Sequence, residues 1–236
     1  TAEKDSTFMT VQFYAAAAAS LAKDSRLAIA ALERAKNTPY RQYDVYQYLC
    51  YEYGEARTAQ DSVMLEKTFE EGMQVFPDSA FFLNNLINTY IYSNRNEKAL
   101  EMLNVAIQKN PNDANLYNVM GRVYETGLKD YANAEKNFQI ALEKDPNLTD
   151  ALSNIGRIYY NQGVNKLSEA NMINDSKKYQ EELGMAKDLF KKALPYYKKA
   201  HEAEPEKMDN MIALRGIYYN LNMGPELEAI EAEMNK

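Results

Sequence analysis

The large apolar residues in the middle of the chain recur at the spacing of an α-helix. Leu83, Leu86 and Tyr90 occupy positions i, i+3 and i+7, which lie on one face of a helix. Two small residues, Ala99 and Ala106, follow seven positions apart and again share one helical face. The pattern predicts two amphipathic helices that pack against each other through these faces.

The same pattern returns along the chain at a nearly constant interval. From Pro77 to Pro111 is 34 residues and from Pro111 to Pro146 is 35. The three aligned segments share large apolar residues in their first half and small residues before a proline in their second half; they are Leu83, Leu86, Tyr90, Ala99, Leu103, Ala106 and Pro111, then Tyr117, Met120, Gly121, Tyr124, Ala134, Phe138, Ala141 and Pro146, then Leu152, Ile155, Gly156, Tyr159, Ala193, Tyr197, Ala200 and Pro205. An interval of this length predicts stacked helical hairpins.

These residues resemble the tetratricopeptide-repeat (TPR) signature, and the resemblance covers nearly the whole chain. It implies an all-α fold: a TPR-type α-α superhelix, which is a right-handed solenoid whose repeats each contain a helix A, a turn and a helix B. The small residues let helix axes approach closely, and each proline ends a helix B because it cannot extend it. Asp78 or Ser79, Asp113 and Thr149 are the predicted caps of the helices A that follow.

The resemblance places six repeats in a single solenoid domain that spans residues 1–236. Their bounds are about 9–42, 43–79, 80–113, 114–148, 149–207 and 208–236. We expect a lengthened turn near Thr58–Ser62 in the second repeat. The short charged helix from Glu226 to Met234 resembles the polar cap that closes a solenoid.

The fifth repeat contains an insertion at about residues 162–187, because Pro146 and Pro205 are 59 residues apart. Apolar residues continue through it at alternating spacings of four and three, the seam of a helical hairpin; they are Tyr179, Leu183, Ala186, Phe190, Ala193, Tyr197 and Ala200. The pattern predicts an extended helical hairpin with a turn near Asn174–Ser176 and a kink at Pro195. Insertions of this kind resemble those of bacterial cell-envelope TPR proteins.

The formal charge of -7 and the isoelectric point near 5.0 limit the classes of partner. Broad nucleic-acid binding and adsorption to anionic lipid both need a basic surface, so neither is expected. No apolar run approaches the roughly 20 residues that span a bilayer, so we expect no membrane insertion by this segment. The chain begins at Thr1 rather than Met, which predicts a trimmed or mature form that has lost any targeting segment.

The sequence contains no motif that supports catalysis. It has no phosphate-binding glycine-rich loop, no GxSxG and no HExxH. The one cysteine, Cys50, is predicted to be a small residue at a helix-packing position. The one histidine, His201, is predicted to be exposed in the last turn of a helix B, where partial positive charge suits the helix dipole. We therefore predict that the chain is not an enzyme and holds no metal or cofactor.

In TPR proteins the helices A line a concave groove, and the resemblance implies such a groove here. The candidate residues are those at groove-facing positions: Tyr48, Tyr51, Asn84, Asn85, Asn88, Tyr92, Asn115, Asn118, Arg122, Asn154, Arg157 and Tyr160. An asparagine amide both donates and accepts hydrogen bonds, which suits an extended peptide backbone, and Arg122 and Arg157 offer paired donors to a carboxylate. The alternative is a polar surface of solvated asparagines and ion-paired arginines. The clamp pattern of chaperone-binding TPR proteins is not met, so we expect no binding to chaperone C-terminal tails.

Three functions remain open from the sequence. The chain is a scaffold that binds a protein or peptide in the groove, or a structural module that self-associates into a homo-oligomer, or a docking or sensor domain of a longer protein. The resemblance implies a bacterial periplasmic or cell-envelope location. The cytoplasm is the alternative, because a single cysteine fits both compartments.

Overall fold

The computed structural model describes residues 2–39, 41–56 and 58–235. Twelve α-helices and one short π-helical segment account for the ordered elements of these residues, and no strand occurs among them. The chain divides into two compact units, residues 1–93 and residues 94–236. Each helix packs on the next helix of its own unit, as the helical-hairpin pattern predicts. The assignment of one domain with six repeats stays a prediction.

The first unit contains five helices, and one buried cluster joins its first three. The helices are α1 (Ala2–Leu21), α2 (Ser25–Ala35), α3 (Gln42–Ala56), α4 (Ala59–Val75) and α5 (Ala80–Tyr92). Phe13, Leu32, Val45 and Leu49 bring α1, α2 and α3 together in one buried cluster, because each lies on the apolar face of its helix.

An ion pair joins α2 to the start of α4. Arg26 Nη1 and Nη2 donate to the two carboxylate oxygens of Asp61 at 2.6 and 2.8 Å. Thr58 caps α4 and exchanges hydrogen bonds with the same aspartate. The hydrogen bond from Arg26, followed by those from Thr58, lowers the pKa of Asp61 to about 2. The second repeat has no lengthened turn at Thr58–Ser62, and that prediction was wrong: α4 begins at Ala59, directly after its cap.

The second unit contains the remaining helices and is the more regular half. They are α6 (Asn96–Lys109), α7 (Ala114–Arg122), the π-helical segment Val123–Gly127, α8 (Tyr131–Lys144), α9 (Thr149–Ala170), α10 (Ser176–Ala203), α11 (Met208–Leu221) and α12 (Gly224–Met234). Phe138 of α8 is fully buried against Ile155 and Ile158 of α9, and Phe190 of α10 is buried in a second cluster with Leu214 and Ile217 of α11.

The predicted caps agree with the structure at two of three positions. Ser79 caps α5 and Asp113 caps α7, each through a side-chain oxygen that accepts a backbone N–H. Thr149 does not cap α9, and that prediction was wrong: it is the first residue of the helix, and Leu148 precedes it without a side-chain cap. The Thr149 hydroxyl instead donates to Glu204 Oε1 at 2.5 Å.

The small residues of the repeat pattern stand where helices meet most closely. A Cβ atom added to Gly121 would lie 2.5 Å from the ring of Phe138, and one added to Gly156 would lie 2.9 Å from the ring of Tyr197. Both distances are far below ordinary carbon–carbon contact of about 3.5–4.0 Å. Only a residue without a Cβ lets these aromatic rings pack directly on the neighbouring backbone.

The predicted extended hairpin is present as α9 and α10, of 22 and 28 residues. The chain turns at residues 171–175, a little before the predicted Asn174–Ser176, and α10 continues through Pro195 without interruption. Lys166 Nζ of α9 and Glu182 Oε2 of α10 form an ion pair of 2.9 Å across the hairpin. Phe190 and Tyr197 of the predicted seam are buried, because α10 presents that face to α9 and α11.

Within the described ranges, no helix has both the length and the mean hydropathy that a membrane span requires.

Candidate functional site

Helices α7, α9 and α11 are the predicted helices A of the second unit, and α9 packs against both of the others. Two predicted groove residues meet between α7 and α9: Asn154 Nδ2 donates to Asn118 Oδ1 at 3.0 Å. Asn118 is 5% exposed, so this amide lies at the base of the helix A face rather than on its surface. The contact holds both side-chain amides in one orientation.

Arg157 extends this contact to the π-helical segment. Its Nε and Nη2 donate to the two carboxylate oxygens of Glu125 at 3.2 and 2.6 Å, and Nη2 also donates to Asn154 Oδ1 at 3.0 Å. The Arg157 side chain is 46% exposed, whereas that of Glu125 is 11% exposed. We call Asn118, Asn154, Arg157 and Glu125 the polar ladder. Its four side chains hold one another across α7, the π-helical segment and α9.

The π-helical segment Val123–Gly127 positions Glu125. Wider turns of this kind commonly occur as short insertions in α-helices at functional sites. Here the segment continues α7, and Asn96 Nδ2 of α6 donates to its Gly127 carbonyl at 3.1 Å. Glu125 therefore projects from a turn that is itself fixed by a neighbouring helix.

A second polar contact joins α9 to α11. Ser153 Oγ donates to Asn210 Oδ1 at 2.9 Å, and Asn210 is 1% exposed. Its Nδ2 has no hydrogen-bond partner within the described part of the chain. A buried amide with an unused donor is unfavourable unless an acceptor reaches it, so Nδ2 is the group here that can still donate a hydrogen bond.

The structure places the other predicted residues of the second unit in different surroundings. Asn115 is exposed at the start of α7, and Arg122 is half-buried at its end and has an interaction partner of its own. Tyr160 packs edge-on against Phe190, with ring centroids 5.6 Å apart. Tyr160 therefore contributes to the packing of α9 on α10.

The predicted residues of α3 line a pocket in the first unit. Tyr48 and Tyr51 are 44% and 58% exposed. Together with Arg41, Asp44 and Gln47 they surround an open pocket of about 360 Å³. Arg41 Nε donates to Asp44 Oδ2 at 2.6 Å. Two tyrosines beside a charged pair can supply apolar contact area and hydrogen bonds at one point.

The predicted asparagines of α5 are partly committed to their own helix. Asn85 Nδ2 donates to the Phe81 carbonyl at 2.8 Å. Asn84 and Asn88 are half-buried, and Asn88 has an interaction partner. Tyr92 is 88% exposed at the end of the helix.

Sequence reasoning did not predict that Glu125 pairs with Arg157, and it did not single out Arg41. Glu125 lies 32 residues before Arg157, close to one repeat interval. Opposite charges at that interval in neighbouring helices A are the signal that predicts their pairing. Arg41 lies outside any periodic helix face and adopts a positive φ of 46°, so the repeat pattern contains no signal for it.

Cys50 and His201 carry potentially reactive side chains, and the structure places both in enclosed positions. The described residues contain no group of three or more His, Cys, Asp or Glu that could hold a metal ion. Cys50 is buried, and burial raises the pKa of its thiol to about 12. The prediction that His201 is exposed was wrong: its side chain is 17% exposed, and Nε2 lies 3.3 Å from Glu233 Oε2 because α12 covers the end of α10.

Two solved structures share this arrangement of helices at low sequence identity. The crystal structure of PilW, described as a widely conserved type IV pilus biogenesis factor, matches with a TM-score of 0.57 and 16% identity, over 96% of this chain and 91% of its own. The crystal structure of MamA matches with a TM-score of 0.52 and 18% identity, over 85% of this chain and 94% of its own. No family model and no curated protein matches the sequence.

PilW and MamA are both TPR proteins, and the chain therefore has a TPR-type helical-repeat fold. The predicted fold class is confirmed, and so is the likeness in fold to bacterial TPR proteins.

Proposed function

We propose that this chain is a protein-binding scaffold that takes an extended peptide segment on the helix A face of its second unit. The observation that supports the proposal is the polar ladder. An extended peptide presents one N–H and one carbonyl per residue, and a row of amides and a guanidinium can pair with both.

The ladder is ordered before a ligand arrives. Arg157 uses Nε and Nη2 on Glu125 and Asn154, which leaves the two N–H groups of Nη1 without a partner within the described residues. Because Glu125 and Asn154 already hold the guanidinium plane, a peptide carbonyl or carboxylate gains hydrogen bonds with little further loss of side-chain entropy. Arg157 is therefore the residue whose change should affect peptide affinity most.

The test selects peptides from a displayed random library on the immobilised protein and measures the affinity of a synthetic consensus peptide by calorimetry. The central variant is Arg157→Lys, which keeps the charge beside Glu125 but loses the planar fork of donors. We expect a loss of affinity of about tenfold, since a hydrogen bond to a charged group contributes about 1.5–3 kcal/mol. Lys177→Ala, an exposed position at the start of α10, is the matched control and should leave the affinity unchanged.

Hydrogen exchange of the complex locates the peptide independently of the variants. Protection of α7, α9 and α11 agrees with the proposal. A consensus peptide that binds Arg157→Lys as tightly as the unchanged protein, and protects other helices, contradicts it. Sedimentation of the protein alone separates a scaffold from a self-associating module, because a homo-oligomer forms without any peptide.

A further inference from the structure

The opposite side of α9 carries a second surface feature that the polar ladder does not use. An open groove of about 630 Å³ runs along α9 where it packs between α8 and α10. Its lining includes Leu152 and Tyr159 of α9, Leu142 of α8 and Tyr196 of α10. We call this the α8–α10 groove. Its volume lies within the range of about 300–1,000 Å³ that is typical of ligand sites.

The α8–α10 groove and the polar ladder face different directions. Asn154 follows Leu152 by two residues, which is a rotation of about 200° around an α-helix. Tyr159 lies one heptad after Leu152 and therefore on the same side as that residue. A ligand in the groove consequently leaves Asn154 and Arg157 accessible, and the inference does not depend on the function proposed above.

The groove has an aromatic lining with fixed geometry. The rings of Tyr159 and Tyr196 are stacked, with centroids 6.1 Å apart and an interplanar angle of 27°. The Tyr159 hydroxyl donates to Glu135 Oε1 at 2.5 Å, and this hydrogen bond fixes the orientation of the Tyr159 ring. The Tyr196 hydroxyl has no hydrogen-bond partner among the described residues. Two ordered rings beside a leucine suit one large apolar side chain, because aromatic pairs gain from stacked or edge-on contact.

The rim of the groove is cationic. Lys192 Nζ lies 5.7 Å from the centroid of the Tyr159 ring, and Lys199 Nζ donates to the Pro146 carbonyl at 2.5 Å. Neither lysine has a carboxylate partner within the part of the chain that the structure describes. The ammonium groups of Lys192 and Lys199 can each donate a further hydrogen bond to a carboxylate.

This rim belongs to a basic helix in an acidic protein. Helix α10 contains seven Lys against four Asp or Glu, a net charge of +3 with His neutral, whereas the whole chain has a net charge of -7. The acidic background repels an anionic partner except where a basic surface attracts it. The lysines of the groove therefore select an anionic segment, and the aromatic lining selects an apolar side chain within it.

We infer that the α8–α10 groove is a second protein-interaction site, which binds an acidic peptide segment through one aromatic side chain. The aromatic side chain inserts between Tyr196 and Leu142 and contacts Leu152 and Tyr159 of α9. The flanking carboxylates pair with Lys192 and Lys199.

The test uses a peptide whose signal cannot come from the protein. The chain contains 19 Tyr but no Trp. An acetylated and amidated Asp-Glu-Trp-Glu-Asp peptide, excited where only Trp absorbs, therefore reports only on its own environment. Burial of its indole in the groove shifts the emission to shorter wavelength, and titration of the protein gives the dissociation constant.

The variants change charge equally at two places on the same helix. Lys192→Glu with Lys199→Glu reverses the rim, and Lys177→Glu with Lys178→Glu reverses two exposed lysines at the start of α10. We expect the rim pair to weaken peptide binding about tenfold or more and the control pair to change it less than about twofold. Arg157→Lys should not change it. The peptide with Gly in place of Trp should fail to compete, and Lys-Arg-Trp-Arg-Lys should not bind.

Four outcomes overturn the inference. The first is no emission shift with the unchanged protein at millimolar concentration, and the second is an equal loss of peptide affinity in the two double variants. The third is binding of phosphatidylserine vesicles but not of the peptide. The fourth is a homo-oligomer that dissociates when Lys192 and Lys199 are replaced by Glu. The last would identify the occupant as a second copy, whose α12 carries four Glu and no Lys or Arg. Circular dichroism of each variant confirms that the helices are retained.

Discussion

Replacing Gly121 by Ala tests whether the repeat glycines are needed for close helix packing. Gly121 belongs to α7, and the ring of Phe138 from α8 lies against its backbone. In an isolated helix the change is favourable, since Ala has a higher helix propensity than Gly by up to about 1 kcal/mol. In this fold the new methyl group meets the aromatic ring.

The size of the conflict follows from three distances. The added Cβ would lie 2.5, 2.6 and 3.0 Å from ring carbons of Phe138. Since carbon atoms rest about 3.5–4.0 Å apart, the ring or the helix must move by about 1 Å. Phe138 is 0% exposed and is packed against Ile155 and Ile158, so the ring has no space to move into. Overpacking of about 1–3 kcal/mol, less a gain in propensity of about 1 kcal/mol, gives a net destabilisation of up to about 2 kcal/mol.

Gly184 is the matched control. It also lies within a helix, α10, but a Cβ built there meets no atom within 4 Å. Gly184→Ala therefore keeps the gain in propensity and should stabilise the protein by up to about 1 kcal/mol. Urea unfolding followed by helical circular dichroism measures both variants, and the midpoints are compared where the slopes agree.

The two substitutions should move the unfolding midpoint in opposite directions. A Gly121→Ala variant as stable as Gly184→Ala would refute the argument that the glycine is required for packing. The double variant Gly121→Ala, Phe138→Leu gives a further check. Its loss should be smaller than the sum of the two single losses, because the shorter side chain relieves the contact.

Three further predictions concern buried or paired polar groups. The Arg26 guanidinium lowers the pKa of Asp61 to about 2, so the ionised Asp61 carboxylate stabilises the fold above about pH 4. The free energy of unfolding should therefore fall between about pH 4 and 2. An acid titration followed by circular dichroism should show a smaller fall in Asp61→Asn. Burial raises the pKa of Cys50 to about 12, so its thiol should react with a disulfide reagent at mildly alkaline pH only after unfolding, and rapid native reaction would contradict this. Arg157→Ala leaves the enclosed carboxylate of Glu125 unpaired and should lower the free energy of unfolding in urea by about 1–3 kcal/mol. Glu125→Ala leaves an exposed guanidinium and should lower it by less than about 1 kcal/mol. Equal losses would contradict the view that Glu125 is the enclosed partner of the pair.

The repeat interval predicted the helix pairs because the evidence for a helix is local. Met120 is buried on α7, and Ala134, Phe138 and Ala141 are buried on one face of α8, which packs on α7. A residue that recurs on one helical face must be covered by a neighbouring helix, and in a repeat fold the neighbour along the chain is the one available. The long hairpin of α9 and α10 was predictable for the same reason.

Caps and turns were less predictable because distant residues compete for the same groups. Threonine is a residue type that commonly caps helices, but the Thr149 hydroxyl donates to Glu204, 55 residues later. The π-helical segment Val123–Gly127 has no pattern in the sequence that distinguishes it from α-helix, and its Gly127 carbonyl accepts from Asn96 of another helix. Such choices depend on which partners the packed helices bring within hydrogen-bond distance.

The sequence by itself determined the helices, their order and the face that each one buries, since periodicity acts over a few turns of one segment. Only the tertiary structure decided what the polar residues on the remaining faces do. Asn118, Asn154 and Arg157 were all predicted for one surface, yet Asn118 is buried, Asn154 links it to Arg157, and Glu125 holds the arginine. The physical reason is range: burial of an apolar stripe depends on one helix and any neighbour, whereas a hydrogen bond forms only when two particular atoms from different helices come within about 3 Å.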